Sequence, residues 1–382
     1  MKINCVGGGP ASLYFSILMK RMNPSHDITV YERNPAGSTF GWGVTYWQAL
    51  IDYLRSADPE SGNAISESSV RWQDWVTHVH DRVTVTVENG AEGFGVGRQR
   101  LLDIFAERAR ALGVQLEFDC EILAEDELTD ADLVVAGDGV NSVLRERHAD
   151  HFGTEVTVGR HPYLWLGTTK VFDAFTFAFR ETEHGWIWCY GYGFSPEQST
   201  VVVECSPETW QGFGFDGTNE ADCLSMLEKL FADVLDGHPL IGRTRADGSA
   251  RWEHFPTLTN NRTWHRGNLV LLGDAAHTTH YSIGSGTGLA LGDAAVLAEE
   301  LHRNTELEPA LARYEKTRRS EIRSAQRSAR HSAQWFEKLP RYIDRPPEQL
   351  MELLGQRHSG LLAHLPPGLY YRIWQVVGRF SH

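Results

Sequence analysis

Ile3-Asn4-Cys5-Val6-Gly7-Gly8-Gly9-Pro10-Ala11-Ser12 opens the chain with a short apolar run that ends in glycines. The apolar spacing then changes. Leu13, Phe15, Ile17, Leu18 and Met22 recur at helical intervals, so the stretch reads as strand, tight turn and helix. Pro24-Ser25-His26 stops that helix, and Asp27-Ile28-Thr29-Val30-Tyr31-Glu32 reads as a second strand. Such a βαβ unit is a nucleotide-binding half-fold. Gly7, Gly9 and Ser12 occupy the small-residue positions of a GxGxxG pattern, with Pro10 and Ala11 opening the helix. Glycines there let the backbone approach a pyrophosphate, and the free N–H groups and dipole of the helix N-terminus favour an anion. Glu32, closing the second strand, is placed to accept hydrogen bonds from a ribose. On these residues alone NAD and FAD are both open.

Working outward, Thr39 to Asp81 is rich in Gly, Ser, Trp and Asp without sustained periodicity and reads as loops and short helices over a site. Gly93-Phe94-Gly95-Val96-Gly97 reads as a flexible approach to a helix from Arg98 to Leu112. Asp132 to Ala136 is a buried strand that ends in a Gly-Asp-Gly turn. From Trp165 to Glu204 the density of aromatic and β-branched residues predicts an antiparallel sheet. Leu269 to Leu272 is a further buried strand, followed by a Gly-rich segment and a helix from about Thr287 to Arg303. Arg- and Glu-rich helices then run to about Lys338, and prolines punctuate a helical tail.

The chain has 382 residues, 41% of them hydrophobic and 23% charged, which suits a folded domain and argues against disorder or a membrane span. Lys and Arg total 36 against 50 Asp and Glu, and the net charge of -14 disfavours nucleic acid as a partner. The five cysteines, Cys5, Cys120, Cys189, Cys205 and Cys223, are scattered and form no CxxC pair, so a reducing cytoplasm is expected rather than a disulfide framework or zinc site. No export or lipidation signal is readable. His78-Val79-His80 is rejected as a metal pair because neighbouring strand residues point to opposite faces. No metal is expected.

Asp138-Gly139-Val140-Asn141-Ser142-Val143-Leu144-Arg145 and Gly273-Asp274-Ala275-Ala276-His277 resemble the paired DG and GD fingerprints of single-component FAD-dependent aromatic monooxygenases. That family is typified by para-hydroxybenzoate hydroxylase. The resemblance extends along nearly the whole chain, through Tyr31-Glu32-Arg33-Asn34, Thr39-Phe40-Gly41-Trp42-Gly43-Val44, Trp165 to Lys170, Phe172 to Phe177, Glu181 to Trp186 and Tyr281 to Thr287. These segments look like the branch containing salicylyl-CoA 5-hydroxylase and the monooxygenase half of anthraniloyl-CoA monooxygenase/reductase, with similarity to the violacein-pathway tryptophan hydroxylase.

The resemblance implies an α/β fold of para-hydroxybenzoate-hydroxylase type: a Rossmann-type FAD-binding domain, an inserted antiparallel-sheet substrate domain and a helical C-terminal tail. The expected boundaries are 1–155 and 263–330 for the two parts of the FAD-binding domain, 156–262 for the substrate domain and 331–382 for the tail. It also implies FAD as cofactor and NADPH or NADH as transient co-substrate. O2 would be captured as a flavin C4a-hydroperoxide, and an aromatic ring hydroxylated or epoxidised. The expected ring carrier is a CoA thioester. Alternatives are a free tryptophan or indole-type substrate, a tropone-type oxygenation, and a flavin-binding protein without turnover. No membrane partner is expected, and the protein is expected to be a monomer or homodimer.

By matching position, the resemblance places the cofactor on Gly7, Gly9, Pro10, Ala11, Ser12, Glu32, Arg33, Gly43, Arg98, Asp138, Gly139, Asp274, Gly284, Ser285, Gly286 and Thr287. Within that set Glu32 takes the adenosine ribose, Asp274 the ribitol side, and Arg98 braces the FAD. His277 and His280, beside the GD motif, are candidates for a proton relay or a phenol hydrogen bond, against a role as loop histidines. Tyr281 is expected near the isoalloxazine, and Tyr46 and Trp47 put aromatics near the expected flavin face. Gly288 and Gly292 replace bulkier residues of relatives and suggest an altered reacting pocket. Arg319, Arg323 and Arg327 share helical spacing and are candidates for CoA phosphates, against a solvated face paired with Glu315 and Glu321. Trp186, Trp188 and Tyr190 alternate on the expected sheet, as a ring pocket or as core.

Overall fold

The computed structural model describes residues 1–39, 41–79, 83–242, 250–357 and 365–378. In chain order its strands are β1 (Lys2–Val6), β2 (Asp27–Tyr31), β3 (Gly43–Trp47), β4 (Val70–Val79), β5 (Val83–Gly97), β6 (Gln115–Glu117), β7 (Leu133–Ala136), β8 (Thr154–Thr168), β9 (Phe175–Thr182), β10 (Gly185–Gly193), β11 (Ser199–Cys205), β12 (Leu240–Ile241), β13 (Glu253–Asn260), β14 (His265–Arg266) and β15 (Leu269–Leu271). They form two sheets.

The first sheet runs β14-β15-β7-β1-β2-β6, parallel except for the β14–β15 hairpin. Ile3, Cys5, Val134 and Val270 are buried in a core shared with Leu13 and Ile17 of the Pro10–Met22 helix, Phe105 of the Arg98–Ala111 helix and Leu297 of the Gly286–Arg303 helix. Burial on both faces is why these strands read as unbroken apolar runs. The late strand β15 returns to sit beside β7, so the C-terminal ends of β1, β7 and β15 bring Gly7, Asp138 and Asp274 to one edge.

The second sheet runs β12-β8-β11-β10-β9-β4-β5-β3, with β13 pairing β8. It is antiparallel except between β4 and β9. Three of its strands come from residues 43–97, and two of them, β3 and β4, lie in the stretch to Asp81 where loops and short helices were expected. The helices Gln48–Ala57 and Pro59–Glu67 are present, but β3 and β4 flank them, and β4 spaces its two tryptophans, Trp72 and Trp75, three residues apart rather than alternating, which hid it. Gly93 to Gly97 is likewise the end of β5 rather than a flexible approach. A side chain at Gly95 would lie 2.1 Å from the carbonyl of Gly193, and one at Gly93 would meet the indole of Trp72 at 2.5 Å.

Strand alternation divides this sheet between two cores. Ile187, Val201, Val203 and Cys205 pack on Leu227, Phe231 and Leu235. Trp188, Tyr190, Tyr192 and Val202 face the other way, toward Trp335, Phe336, Leu353 and Leu354. The long helix Leu307–Glu337 carries the chain from the first sheet to the second: Tyr314 donates to the carbonyl of Leu271 at 3.0 Å, and Phe336 stacks on Trp188 at 5.7 Å. The punctuated tail then folds over the aromatic face. All five cysteines are free.

Candidate functional site

At the first turn Gly7 has φ +96, and a side chain there would come within 2.4 Å of the Gly137 carbonyl. Only glycine fits. The Pro10–Met22 helix starts at Gly9 without any side-chain cap, which leaves its first N–H groups uncommitted. Ser12, in the third small-residue position, is buried and its Oγ has no partner; a Cβ on Gly137 would stand 2.1 Å from that oxygen. Glycine at 137 thus makes room for serine at 12. Ala11 packs beside Gly273.

Glu32 accepts from the Gly8 N–H at 2.7 Å through Oε2, and from the backbone and side chain of Asn34 through Oε1. The carboxylate is thereby fixed at the end of β2. Arg33 is exposed and pairs with Glu121 at 3.8 Å. Asp138 Oδ2 accepts the Val143 N–H at 2.9 Å, as a turn-capping aspartate does, while its Oδ1 is buried without a partner. Burial raises its pKa. Gly139 follows with φ +84.

Asp274 lies on the turn after β15 and opens onto a cavity of about 1250 Å³. Protein surrounds it closely, which raises its pKa, yet its carboxylate is reached from the cavity side, so an occupant of the cavity completes its solvation. Arg98, the first residue of its helix, lines the same wall; its Nε is buried without a hydrogen-bond partner. Gly284 has φ +61, and Ser285 starts the Gly286–Arg303 helix with no side-chain cap and with its Oγ buried and unpartnered. Gly43, Gly286 and Thr287 complete this side. Uncommitted polar atoms on Asp138, Asp274, Arg98 and Ser285, with two uncapped helix N-termini and a glycine cradle at Gly7, fit a dinucleotide cofactor that brings phosphates, hydroxyls and a polar ring edge.

Across the cavity stands the aromatic face of the second sheet, with Trp75, Tyr163, Phe175, Phe177, Tyr190 and Tyr192 in its wall. Tyr281 joins this wall. Its ring is 4.5 Å from that of Tyr163, and its hydroxyl donates to Glu204 Oε2 at 2.7 Å. Burial and then the charge of Glu204 hold the phenol well above its ordinary pKa, so it stays a donor. Glu204 is 2% exposed and its other oxygen faces His161 Nδ1 at 3.0 Å.

The remaining candidates are placed differently. Trp47 lines the cavity and is half open to solvent, whereas Tyr46 points into the core, stacked on Phe94 and bonded to Ser69. His277 is buried behind the wall: Nε2 is 2.7 Å from Asp293 Oδ2, and Asp293 Oδ1 accepts from Arg318 Nε at 2.7 Å. Burial pushes the Asp293 carboxyl up, but His277 and Arg318 outweigh it and hold it below its ordinary value. This geometry is that of a structural cluster. His280 packs against Tyr281 and Phe255, with Nδ1 taken by Ser282, and burial lowers its pKa. Neither histidine lines the cavity. Gly288 and Gly292 do not line it either; a side chain at Gly292 would press on the Arg318 guanidinium. Tyr190 lines the cavity, while Trp188 is core. His80 and Phe40 lie outside the described residues.

Arg319, Arg323 and Arg327 border a separate cleft of about 600 Å³ with Arg262 and Lys316. Arg319 is engaged there by Glu315 and by the carbonyls of Arg262 and Asn261. Two cavity residues, Glu352 and Arg357, and Glu204 behind the wall escaped sequence reading. Glu204 ends the apolar run Thr200 to Val203, a visible anomaly in a strand, whereas Glu352 and Arg357 lie in the proline-punctuated tail with no motif around them. Burial pushes the Glu352 carboxyl up to about 7.

A sequence profile described as an FAD binding domain matches residues 3–329. The chain is 40% identical over 353 residues to salicyloyl-CoA 5-hydroxylase of a Streptomyces species, a match spanning 90% of this chain and 66% of that protein. It is 36% identical to 3-hydroxy-4-methyl-anthranilyl-[aryl-carrier protein] 5-monooxygenase of Streptosporangium sibiricum, over 94% of each chain. The fold is that of 2-methyl-3-hydroxypyridine-5-carboxylic acid oxygenase, with a TM-score of 0.73 at 19% identity over 96% of this chain and 97% of that one.

Proposed function

Because the chain belongs to the FAD binding domain family of flavin-dependent aromatic monooxygenases, we propose that it hydroxylates or epoxidises the ring of an aromatic acid presented as a thioester. The enzyme class and FAD follow from membership; the thioester is the reading advanced here. The observation that carries it is the continuity of one cavity from Asp274 and Arg98 to the aromatic face around Tyr190 and Tyr281. Cofactor and planar substrate would meet there. Both similar monooxygenases carry an activated acyl group in their names, one on CoA and one on a carrier protein.

Bound FAD supplies the redox chemistry, drawing electrons from NAD(P)H and activating O2. The chain's own residues have narrower tasks. Gly7, Gly9 and the start of the Pro10–Met22 helix would hold the pyrophosphate, with Glu32 on the ribose and Asp274 on the ribityl hydroxyls. Arg98 would brace the cofactor from the same wall. The N–H groups at Ser285, Gly286 and Thr287 would stabilise negative charge on the reduced ring. The rings of Phe175, Tyr190 and Tyr192 would orient the substrate and exclude water, and Tyr281, its one hydroxyl proton held by Glu204, would accept a hydrogen bond from a substrate hydroxyl through its phenolic oxygen. Incubation with NADPH and ¹⁸O2 and, in separate reactions, salicyloyl-CoA, benzoyl-CoA, indole or tryptophan tests this. One ¹⁸O atom in the aryl part of a thioester product is expected, and unlabelled or unchanged thioesters alongside a labelled free indole or tryptophan would replace the reading.

A further inference from the structure

Arg357 caps the C-terminus of the Pro347–Gln356 helix and is 4% exposed. Its Nε donates to the Leu354 carbonyl at 3.0 Å and its Nη1 to the Ser282 carbonyl at 2.8 Å. The guanidinium is held between two rings, 5.5 Å from the centre of Phe177 and 5.4 Å from that of Phe336. Carbonyls and ring faces engage a cation but do not neutralise it. Among the described residues no carboxylate pairs with Arg357, and its Nη2 donates no hydrogen bond. Glu204, whose charge reaches it, is committed to Tyr281 and His161. Burial lowers the guanidinium only to about 10, so it stays charged at neutral pH. It also lines the cavity, near Tyr190.

A buried charge without a countercharge is costly for a fold to keep. An occupant that brings one removes the cost, and the planar fork suits an oxygen in the plane of a conjugated group. We propose that Arg357 is the cavity's anion-recognising residue, its Nη2 holding a phenolate or carboxylate oxygen conjugated to the substrate's aromatic ring. The inference rests on the aromatic-substrate reading above. The two bonds to Leu354 and Ser282 also tie the tail to the turn after Tyr281, so the test must separate recognition from tethering.

The experiment titrates the flavin-loaded protein with azide, salicylate, salicyloyl-CoA and indole, read by the absorbance change of the bound flavin, in wild type, Arg357→Met and Arg357→Lys. Flavin content and far-ultraviolet circular dichroism report folding. The Met variant is expected to weaken azide, salicylate and salicyloyl-CoA by about tenfold or more and indole by less than about twofold. The Lys variant keeps the charge without the fork, so azide should stay near wild type and salicylate weaken by about fivefold. If the Met variant loses flavin, this azide-against-salicylate split in the Lys variant carries the test. Equal weakening of all four probes, equal anion binding in wild type and variants, or no anion response in wild type overturns the proposal. Arg357-dependent binding of azide and salicylate with no binding of salicyloyl-CoA keeps it and removes the thioester reading instead.

Discussion

Tyr281 and Glu204 meet across the wall of the central cavity, the phenol hydroxyl donating to the carboxylate at 2.7 Å from a ring that itself faces the cavity. Each fixes the other. The carboxylate orients the hydroxyl, and the hydroxyl satisfies one oxygen of a charge that is almost wholly buried. Removing the hydroxyl leaves that oxygen short of a donor and the substrate without a neutral hydrogen-bond partner. Tyr281→Phe is expected to lower kcat by about tenfold or more while flavin content stays near wild type. Steady-state NADPH oxidation with salicyloyl-CoA, paired with the ratio of flavin to protein absorbance, checks both halves.

Asp274→Ala is expected to purify with much less flavin, because the carboxylate opens onto the cavity and has no hydrogen-bonding protein partner among the described residues to lose. Nothing else in the fold should change, so its melting temperature without added FAD should stay close to that of the apoprotein. A variant that keeps its full flavin complement would remove Asp274 from the cofactor's contacts.

Asp293 is completely buried between His277 and Arg318. Asp293→Asn should therefore cost about 3–5 kcal/mol of stability, as breaking a buried ion pair does, and should leave the KM of the surviving enzyme near wild type. Chemical denaturation and steady-state kinetics separate the two. A large change in KM with unchanged stability would return His277 to the reacting site.

Glu352 shares the cavity with Arg357, and burial holds its carboxyl up at about 7. Below that pH it is neutral; above it a negative charge enters the cavity. Anionic ligands should bind more weakly as pH rises through 7. For stability the sign is the same: a carboxyl whose pKa is raised by folding contributes progressively less as pH climbs from its ordinary range, near 4.5, through 7. Salicylate titrations at pH 6 and pH 8 should differ by several-fold in wild type and little in Glu352→Gln. Equal pH dependence in both would contradict the assignment.

The first half-fold was legible because its physics is local. Gly7 must have positive φ beside Gly137, Pro10 starts a helix, and Val30 and Tyr31 alternate into a sheet buried on both faces. The GD and DG turns were legible for the same reason. The second sheet was only partly so: β9 to β11 carry dense β-branched and aromatic residues, but β4 breaks the alternation with Trp72 and Trp75, and β5 ends in glycines whose need for close approach to Trp72 and Gly193 is visible only in three dimensions. The histidines misled because proximity in sequence to Asp274 does not fix the direction of a side chain. His277 turns inward to Asp293, which lies a helix away. Arg357 and Glu352 reach the cavity through the path of the tail, which no local pattern encodes.

The central claim is that one cavity brings flavin and an aromatic thioester together, and rapid mixing of the oxidised enzyme with NADPH in the absence of O2 tests it most directly. Flavin bleaching would be followed alone and with salicyloyl-CoA, benzoyl-CoA, free salicylate and tryptophan. The account predicts that a thioester speeds reduction by about tenfold or more, with salicylate and tryptophan far behind. Reduction that no probe accelerates, or that tryptophan alone accelerates, would contradict it.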